Sequence, residues 1–480
     1  MFAALFARLL YVQIIRYTFL SGLAEKQHKI FVKLEPHRGS IYDRLGRVLA
    51  IYLIDENKRF YPGGKLACHV LGMTGIDNKG LEGIEFYYDK ELNGEYGWRH
   101  SQRDAKQREI ASFERDALPP RDGNSLVLTI DEVIQHIIEK EIEDIVKSYR
   151  PKAVSIVALE PGTGEILGLA NYPWFDPNDF SGVNADFIRN RAISDSFEPG
   201  SVFKIVTASA ALEEEVVDFD SEFFCENGTY KIAKRTLRDY RPHGTLTFRK
   251  IIEKSSNIGT VKVAGKLGKE NLSAYIKRFN FGSQTGVDLP GEAAGIMREA
   301  RTWSYVDMTT IPMGQGIAVT TLQMASAISV IANKGILMRP YIVKKVLNEE
   351  GTIVRENKPR AIRRVISKNT AGKTKELLKG VVEDGTGKQA RLDNFTSCGK
   401  TGTAQKVKPE GGYYSDRYIA SFIGFAPYNK PAVSLVVFVD EPQGRHFGGQ
   451  VGAPAFKNIM EKILFYMEIE SDMDEIKKTS

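Results

Sequence analysis

Between Ser125 and Tyr466 the chain switches repeatedly between a two-residue and a 3.6-residue hydrophobic period. Ser125 to Ile130 alternates apolar and polar positions, the signature of a half-buried strand. From Asp131 to Lys147 the apolar positions recur every three or four residues, which predicts an amphipathic helix with Asp131 as its N-cap. Ala153 to Leu159 and Ile166 to Ala170 are short apolar runs joined by the turn-rich Glu160-Pro161-Gly162-Thr163-Gly164-Glu165, and predict a hairpin. Glu198-Pro199-Gly200-Ser201-Val202-Phe203-Lys204 opens an Ala-rich run from Ile205 to Leu212, with Pro and Gly marking a helix start. A mostly helical stretch then runs to about residue 280, followed by an α+β stretch containing Gly314-Gln315-Gly316 and a helix near Thr320 to Asn333. Thr396 to Gln405, Ile419 to Phe425 and Val433 to Val439 read as closing strands, and Phe456 to Tyr466 as a last helix. Glu468 to Ser480 reads as a charged, frayed tail. Strands at both ends with helices between predict an α+β domain, an antiparallel sheet flanked by helices, over residues 125–468. That order puts the Lys400 strand beside the Ser201 helix.

Before this domain, residues 33–124 read as a small, Gly-punctuated α+β module. Arg38 to Arg47 is a strand and polar turn, and Gly80 to Glu85 a second Gly-rich segment. Neither holds a catalytic constellation, so the module reads as scaffold. Phe2 to Ile15 is apolar apart from Arg8 and Gln13. It is too short for the roughly 20 residues that cross a bilayer. Arg8 also interrupts the run where a signal peptide would be continuous. An amphipathic surface helix fits the run; the preferred reading of residues 1–20 is the outer end of a membrane anchor.

Composition adds mainly exclusions. The 480 residues are 42% hydrophobic and 26% charged, ordinary for two or three globular domains. The net charge of +6 is spread along the chain, which argues against nucleic-acid binding. Cys68, Cys225 and Cys398 lie far apart without a C-x-x-C, so no disulfide framework is expected. The seven histidines show no ligand spacing, and no metal or cofactor is expected. The adjacent Cys68 and His69 read as core packing.

The chemistry concentrates in three short elements. Ser201 stands three residues before Lys204, so both share a helix face and the lysine can serve as the serine's base if it is neutral. Ser255-Ser256-Asn257 follows, then Lys400-Thr401-Gly402-Thr403. The first two patterns are individually weak: Ser397 and Lys400 repeat the serine–lysine spacing, and Ser367-Lys368-Asn369 repeats the second. Lys-Thr-Gly occurs once, and the ordered set carries the assignment. In an acyl transfer Ser201 is the nucleophile and Lys204 its base, with Lys400 a neighbouring cation that lowers the pKa of Lys204. Ser255 relays a proton, and Asn257 hydrogen-bonds the substrate backbone. Gly402 lets substrate approach the strand, and the Thr401 and Thr403 hydroxyls hold a terminal carboxylate. The N–H groups of Ser201 and Thr403 form an oxyanion hole, and an exposed Lys400 strand binds extended peptide by β-addition.

These three elements, with Phe281-Gly282-Ser283-Gln284-Thr285-Gly286 and Leu289-Pro290-Gly291-Glu292, resemble class B penicillin-binding proteins, above all the septal, cell-division branch. Arg8 to Gln13, Arg38 to Arg47 and Gly80 to Glu85 resemble that family's anchor exit and pedestal. The resemblance covers about residues 8–466. It implies a peptidoglycan D,D-transpeptidase anchored in the cell membrane, with its catalytic domain outside. Ser201 would attack a D-Ala-D-Ala donor stem peptide, release D-Ala, and pass the acyl group to an amine of a neighbouring stem. β-Lactams would acylate the same serine. A membrane glycan polymerase and division proteins are the implied partners. The chain departs from the family at Ile51 to Lys58, which joins two pedestal motifs that usually flank further lobes.

Two other readings compete. A β-lactamase, D,D-carboxypeptidase or β-lactam sensor would share the fold; a β-lactamase would be shorter and would need a deacylating base, and none is identifiable. A non-catalytic division scaffold would show decay in the motifs, and all of them are intact.

Overall fold

In the computed structural model, residues 1–54, 58–103, 109–232, 235–408 and 410–473 are described, with backbone only at 24–30, 102–103, 109–116 and 235. The chain starts with α1 (Phe2–Leu10), a π-helical turn (Tyr11–Ile15) and α2 (Tyr17–His28). Apolar side chains from Phe2 to Leu23 stand exposed. No single helix among the described residues is long and apolar enough to cross a membrane. The helices meet at a 66° bend, and the bent pair meets the length and composition of a span.

The scaffold module begins with β1 (Lys29–Leu34), β2 (Ile41–Tyr42), β3 (Val48–Leu53) and β4 (Lys58–Phe60). It continues with β5 (Gly97–Arg103) and β6 (Glu109–Leu118), which pair with β1 in the order β1-β5-β6. The join at Ile51 to Lys58 closes β3 and β4 as an antiparallel hairpin, Leu53 opposite Lys58; residues 55–57 of that join lie outside the described residues.

Next come β7 (Ser125–Leu128), β10 (Val343–Leu347) and β11 (Ile353–Glu356), which complete a six-stranded sheet in the order β11-β10-β7-β2-β3-β4. A sheet running through both regions ties the scaffold to the larger domain. Inside the module the two sequence segments that looked structural meet in one ion-pair cluster. Glu85 accepts from Arg38 Nε at 2.7 Å and from Arg59 Nε at 2.6 Å, all three side chains being buried. A buried carboxylate between two guanidiniums is tolerable only while both partners remain. Glu85→Ala should therefore destabilise the protein by about 3–5 kcal/mol, read as a lower urea midpoint with unchanged slope.

The larger domain is built on a second sheet. Its strands are β8 (Ala153–Leu159), β9 (Ile166–Tyr172), β12 (Cys398–Val407), β13 (Tyr413–Ala426) and β14 (Val433–Asp440), in the order β9-β8-β14-β13-β12. All its pairings are antiparallel. Successive residues serve opposite faces. Phe422 and Val437 pack with α3 (Glu132–Tyr149) and α9 (Gly452–Tyr466) in one core. Ile423 and Val436 pack with α4 (Lys204–Glu213) and α7 (Thr321–Ala332) in the other. Asp131 caps α3 as expected, accepting from Val133 N at 3.0 Å.

Three expectations need correction. The stretch before residue 280 is not mostly helical: strands at Glu222–Phe224, Thr229–Ile232, Arg235–Arg238 and Thr245–Thr247 precede α5 (Phe248–Lys254), α6 (Asn257–Leu267) and a helix at Lys269–Arg278. Its Thr and aromatic residues favour pleated pairs, and Gly228 and Gly244 break any helix. The 281–320 stretch holds short 3₁₀ turns and isolated bridges where an α+β segment was expected. A helix without an expectation, α8 (Lys368–Glu383), packs on α4 and β12. Third, the tail is not frayed as far as Met473. Asp472 is buried and accepts from Thr396 N at 2.7 Å and Tyr428 N at 3.1 Å. Residues 474–480 lie outside the described residues.

Candidate active site

A 3₁₀ turn, Gly200–Phe203, feeds directly into α4, so Ser201 sits in the entry turn and Lys204 one turn on. The turn is seated by close backbone contacts. Gly200 N donates to Gly314 O at 3.0 Å, and a Cβ on Gly314 would come within 2.2 Å of Gly200 O, so only glycine fits there. Glu198 adds a clamp, accepting from Gly316 N at 2.7 Å and from Tyr413 Oη at 3.0 Å. Burial raises its pKa.

The entry turn lies on β12, an edge strand of the five-stranded sheet. Lys400, Gly402 and Ala404 alternate toward it. A Cβ on Gly402 would stand 2.9 Å from Val202 Cγ1 and 2.3 Å from Ser421 Oγ. Glycine is needed here for the packing of the nucleophile turn on the strand, a reason different from the expected access for substrate. Thr401 and Thr403 face the other way. Thr401 Oγ1 shares a hydrogen bond of 2.7 Å with Thr386 Oγ1, and Thr403 Oγ1 accepts from Gly448 N at 3.0 Å. The Thr403 hydroxyl proton stays available to an anion.

Ser255 closes the third side. It caps the C-terminus of α5 in a left-handed conformation, φ 59°, uncommon for a residue with a Cβ and typical of strained functional positions. The conformation turns Ser255 Oγ toward both lysines: Lys400 Nζ donates to it at 2.9 Å and Lys204 Nζ at 3.2 Å. Lys204 Nζ also donates to Ser255 O at 2.6 Å and Asn257 Oδ1 at 2.8 Å. Asn257 Nδ2 donates to Arg238 O at 3.0 Å. The three motifs, nearly 200 residues apart at their extremes, thus converge on one serine oxygen.

Both lysines are fully buried. Burial lowers the pKa of Lys204 from 10.5 to about 7, with the Asp239 carboxylate acting in the opposite sense. Burial, reinforced by the charge of Lys204, holds Lys400 well below its ordinary value. The two lysines meet at one oxygen, so a charge on either disfavours a charge on the other. Two ammonium groups cannot share one oxygen in a dry site without one losing its proton. The three oxygens around Lys204 Nζ hold it in place, and with its pKa lowered to about 7 it can exchange a proton.

Asp239 is a residue that sequence reasoning missed. Its carboxylate accepts from Ser256 Oγ at 2.6 Å, Asn257 N at 2.6 Å and Ile258 N at 3.0 Å, capping α6 and holding the Ser255–Asn257 loop. The turn Asp239-Tyr240-Arg241-Pro242 marks a loop in sequence, but nothing local tells which distant helix its Asp caps. Asp239→Ala should cost about 1–2 kcal/mol as a lost cap. It should also slow penicillin acylation about tenfold, since about 1.4 kcal/mol of misplacement is one decade in rate. Stopped-flow acylation and thermal melts read the two effects.

The decoy spacing is resolved by direction. Ser397 Oγ is buried and donates to Ala390 O at 2.8 Å, while Lys400 points to Ser255. The cysteines are free and buried. His69 is buried among Cys68 and Phe175 with its pKa lowered to about 4 by burial, a packing role as expected. Among the described residues no cluster could hold a metal.

Residues 154–461 match the penicillin binding protein transpeptidase domain, and residues 51–128 the penicillin-binding protein dimerisation domain. The chain is 39% identical to stage V sporulation protein D of Bacillus subtilis, over 89% of this chain and 67% of that one. It is 34% identical to peptidoglycan D,D-transpeptidase FtsI of Escherichia coli, over 88% and 69% of the two chains. Its structure is similar to penicillin binding protein 3 of Mycobacterium tuberculosis complexed with aztreonam, with a TM-score of 0.82 and 32% identity over 92% of this chain and 98% of that one.

Proposed function

This chain belongs to the class B penicillin-binding proteins, and we propose that Ser201, Lys204, Ser255 and Lys400 form the machinery by which it cross-links peptidoglycan stem peptides. It is a penicillin-sensitive serine D,D-transpeptidase of the septal kind. The observation that carries the residue assignment is the convergence of Lys204 and Lys400 on Ser255 Oγ beside the Ser201 turn.

Neutral Lys204 takes the Ser201 hydroxyl proton as Oγ attacks the carbonyl of the penultimate D-Ala. The developing oxyanion is stabilised by the Ser201 and Thr403 N–H groups. The C–N bond breaks, and the departing D-Ala amine receives the proton from Lys204 through Ser255. An amine of a second stem then attacks the ester, gives its proton back along the same route, and frees Ser201. Asn257, Thr401, Gly402 and Thr403 form the substrate-binding side, and the free edge of β12 pairs the extended donor. Proton transfer by a positioned group contributes about 10²–10⁴ in rate.

The domain division that goes with this reading is a membrane anchor at 1–20, a shortened pedestal at 33–124, the transpeptidase domain at 125–468 and a tail at 469–480. The exposed apolar helices α1 and α2 support a single-pass anchor with the catalytic domain outside the cell membrane. A membrane glycan polymerase and division proteins are the partners this location calls for. The test is product formation: the full chain, given polymerised glycan bearing pentapeptides, should release D-Ala and form cross-linked dimers in equal amounts. D-Ala release without dimers would make it a carboxypeptidase, and rapid steady-state penicillin hydrolysis would make it a β-lactamase. The higher identity to a sporulation protein favours a second reading, a wall enzyme used at that developmental stage. Complementation of strains lacking either relative separates the two.

A further inference from the structure

One side of the cleft ends in the loop Arg238-Asp239-Tyr240-Arg241, which is held to the Ser255–Asn257 loop at two points. Arg238 O accepts from Asn257 Nδ2 at 3.0 Å, and the Asp239 carboxylate accepts from Asn257 N and Ile258 N. Asp239 N is tied in turn to Gly228 O at 3.1 Å. Beyond these anchors Tyr240 stands out into solvent, 76% exposed. Its ring meets the edge of Phe447, with centroids 5.2 Å apart. Phe447 precedes Gly448, whose N–H donates to Thr403 Oγ1 at 3.0 Å. The two rings therefore join the Asn257 side of the cleft to the Thr403 side. The Arg241 guanidinium lies 6.0 Å from the centre of the Tyr240 ring.

This rim is positive, and its charge is uncompensated. Arg238, Arg241 and Arg445 are exposed, and none of them forms an ion pair among the described residues. The carboxylate nearest to them in the loop, Asp239, is taken up by Ser256 Oγ, Asn257 N and Ile258 N. Lys406, further along β12, is by contrast paired with Asp440 and Glu441. An accessible guanidinium presents a fork of donors that fits a carboxylate, and the exposed ring beside it offers an apolar face to the rest of a peptide.

Aminolysis of the Ser201 ester is the reverse of its formation from the donor. The acceptor amine must therefore arrive along the path by which D-Ala left. The donor extends along β12, with the Thr403 hydroxyl available to its terminal carboxylate, so the rim that meets Thr403 through Phe447 and Gly448 borders that path. A stem peptide carries its reacting amine at the tip of a long side chain, and a carboxylate on the residue before. Arg241 is three residues from the Arg238 carbonyl that Asn257 holds, at most about 11 Å of chain. That is a distance a long side chain and one peptide unit can cover.

We infer that Arg241, with the Tyr240 ring as its platform, binds a carboxylate of the acceptor stem peptide and so selects acidic acceptors. The inference rests on the transpeptidase reading and adds an acceptor site to it. Arg241 positions the acceptor and touches neither the ester nor the attacking amine.

The experiment gives the full chain a benzoyl-D-Ala thioester as donor and tripeptides as acceptors. The acceptors are L-Ala-γ-D-Glu-X and the same peptides with D-isoglutamine in place of D-Glu, where X is lysine or diaminopimelate. Mass spectrometry reads the ratio of amide product to hydrolysed donor. The expected ratio is about tenfold higher for the acidic acceptor in the wild type, the size of one charge-assisted contact. It should be equal for both acceptors in Arg241→Gln and reversed in Arg241→Glu. Penicillin acylation of both variants should stay within about twofold of the wild type. No preference in the wild type, or a preference that survives in Arg241→Gln, overturns the inference. So does a matching loss of penicillin acylation in Arg241→Gln, which would place Arg241 on the donor side. A wild type that is not acylated, or that only hydrolyses the donor with every acceptor, would instead overturn the transpeptidase reading.

Discussion

Ser201→Ala should take no covalent penicillin label, a loss of at least about a thousandfold in acylation, while Ser397→Ala labels at close to the wild-type rate. Both serines precede a lysine by three residues, so the contrast tests geometry rather than motif. Ser201 stands in a helical entry turn, where i and i+3 share a face, and its lysine is fully buried. Ser397 immediately precedes β12, its hydroxyl is spent on Ala390 O, and its nominal lysine is directed at Ser255. Removing the Ser397 hydroxyl forfeits one buried hydrogen bond, about 1 kcal/mol. Without the Ser201 hydroxyl there is no atom to form the ester, and oxyanion donors alone cannot hold β-lactam covalently. Intact-protein mass followed by peptide mapping decides it. An adduct persisting in Ser201→Ala, or found on Ser397, would sink the assignment.

Lys204→Arg should slow acylation by at least about a hundredfold, because a guanidinium keeps the charge but cannot give up a proton to act as base. The same role predicts a pH profile. With the Lys204 pKa lowered to about 7, the neutral amine prevails above that pH. The acylation rate should be flat above about pH 8 and fall about tenfold per unit well below pH 7. The linked stability runs in a definite direction. In the unfolded chain Lys204 titrates at 10.5, so between about 7 and 10.5 the unfolded state binds more protons than the folded one. Its contribution is therefore full above about 10.5 and is lost as the pH falls through about 7. Lys204→Met should flatten that slope in denaturant unfolding measured from pH 7 to 10. Near-native acylation by Lys204→Arg, or a wild-type rate insensitive to pH between 5 and 8, would rule the base role out.

The two lysines also show where a charge argument from sequence stops. The sequence places Lys400 in the site and makes it available as a cation. It does not say that Lys400 and Lys204 share Ser255 Oγ, or that both are buried. The proton count of such a pair follows from separation and desolvation, which are properties of the assembled cleft. The same holds for Gly402. Its lack of a side chain was legible, but its neighbour was not: the tight contact is with Val202 and Ser421, brought there by sheet register and helix seating.

What the chain determined by itself are the elements whose information is local. A period-two run gave β7, short apolar runs bounded by turn residues gave β8 and β9, and a 3.6 period with an Asp cap gave α3. The serine–lysine pair on one helix face needed only the rise of a helix. The ordered trio of motifs named the chemistry because each motif is a handful of adjacent residues. The small strands at 222–247 escaped because their pairing partners, not their composition, make them strands. Only the tertiary structure decided that Ser255 would be left-handed, that Asp239 would cap the helix carrying Asn257, and that Arg38 and Glu85 would meet in one buried cluster. Each of these joins residues far apart along the chain, and their cost or benefit exists only once packing has removed water from between them.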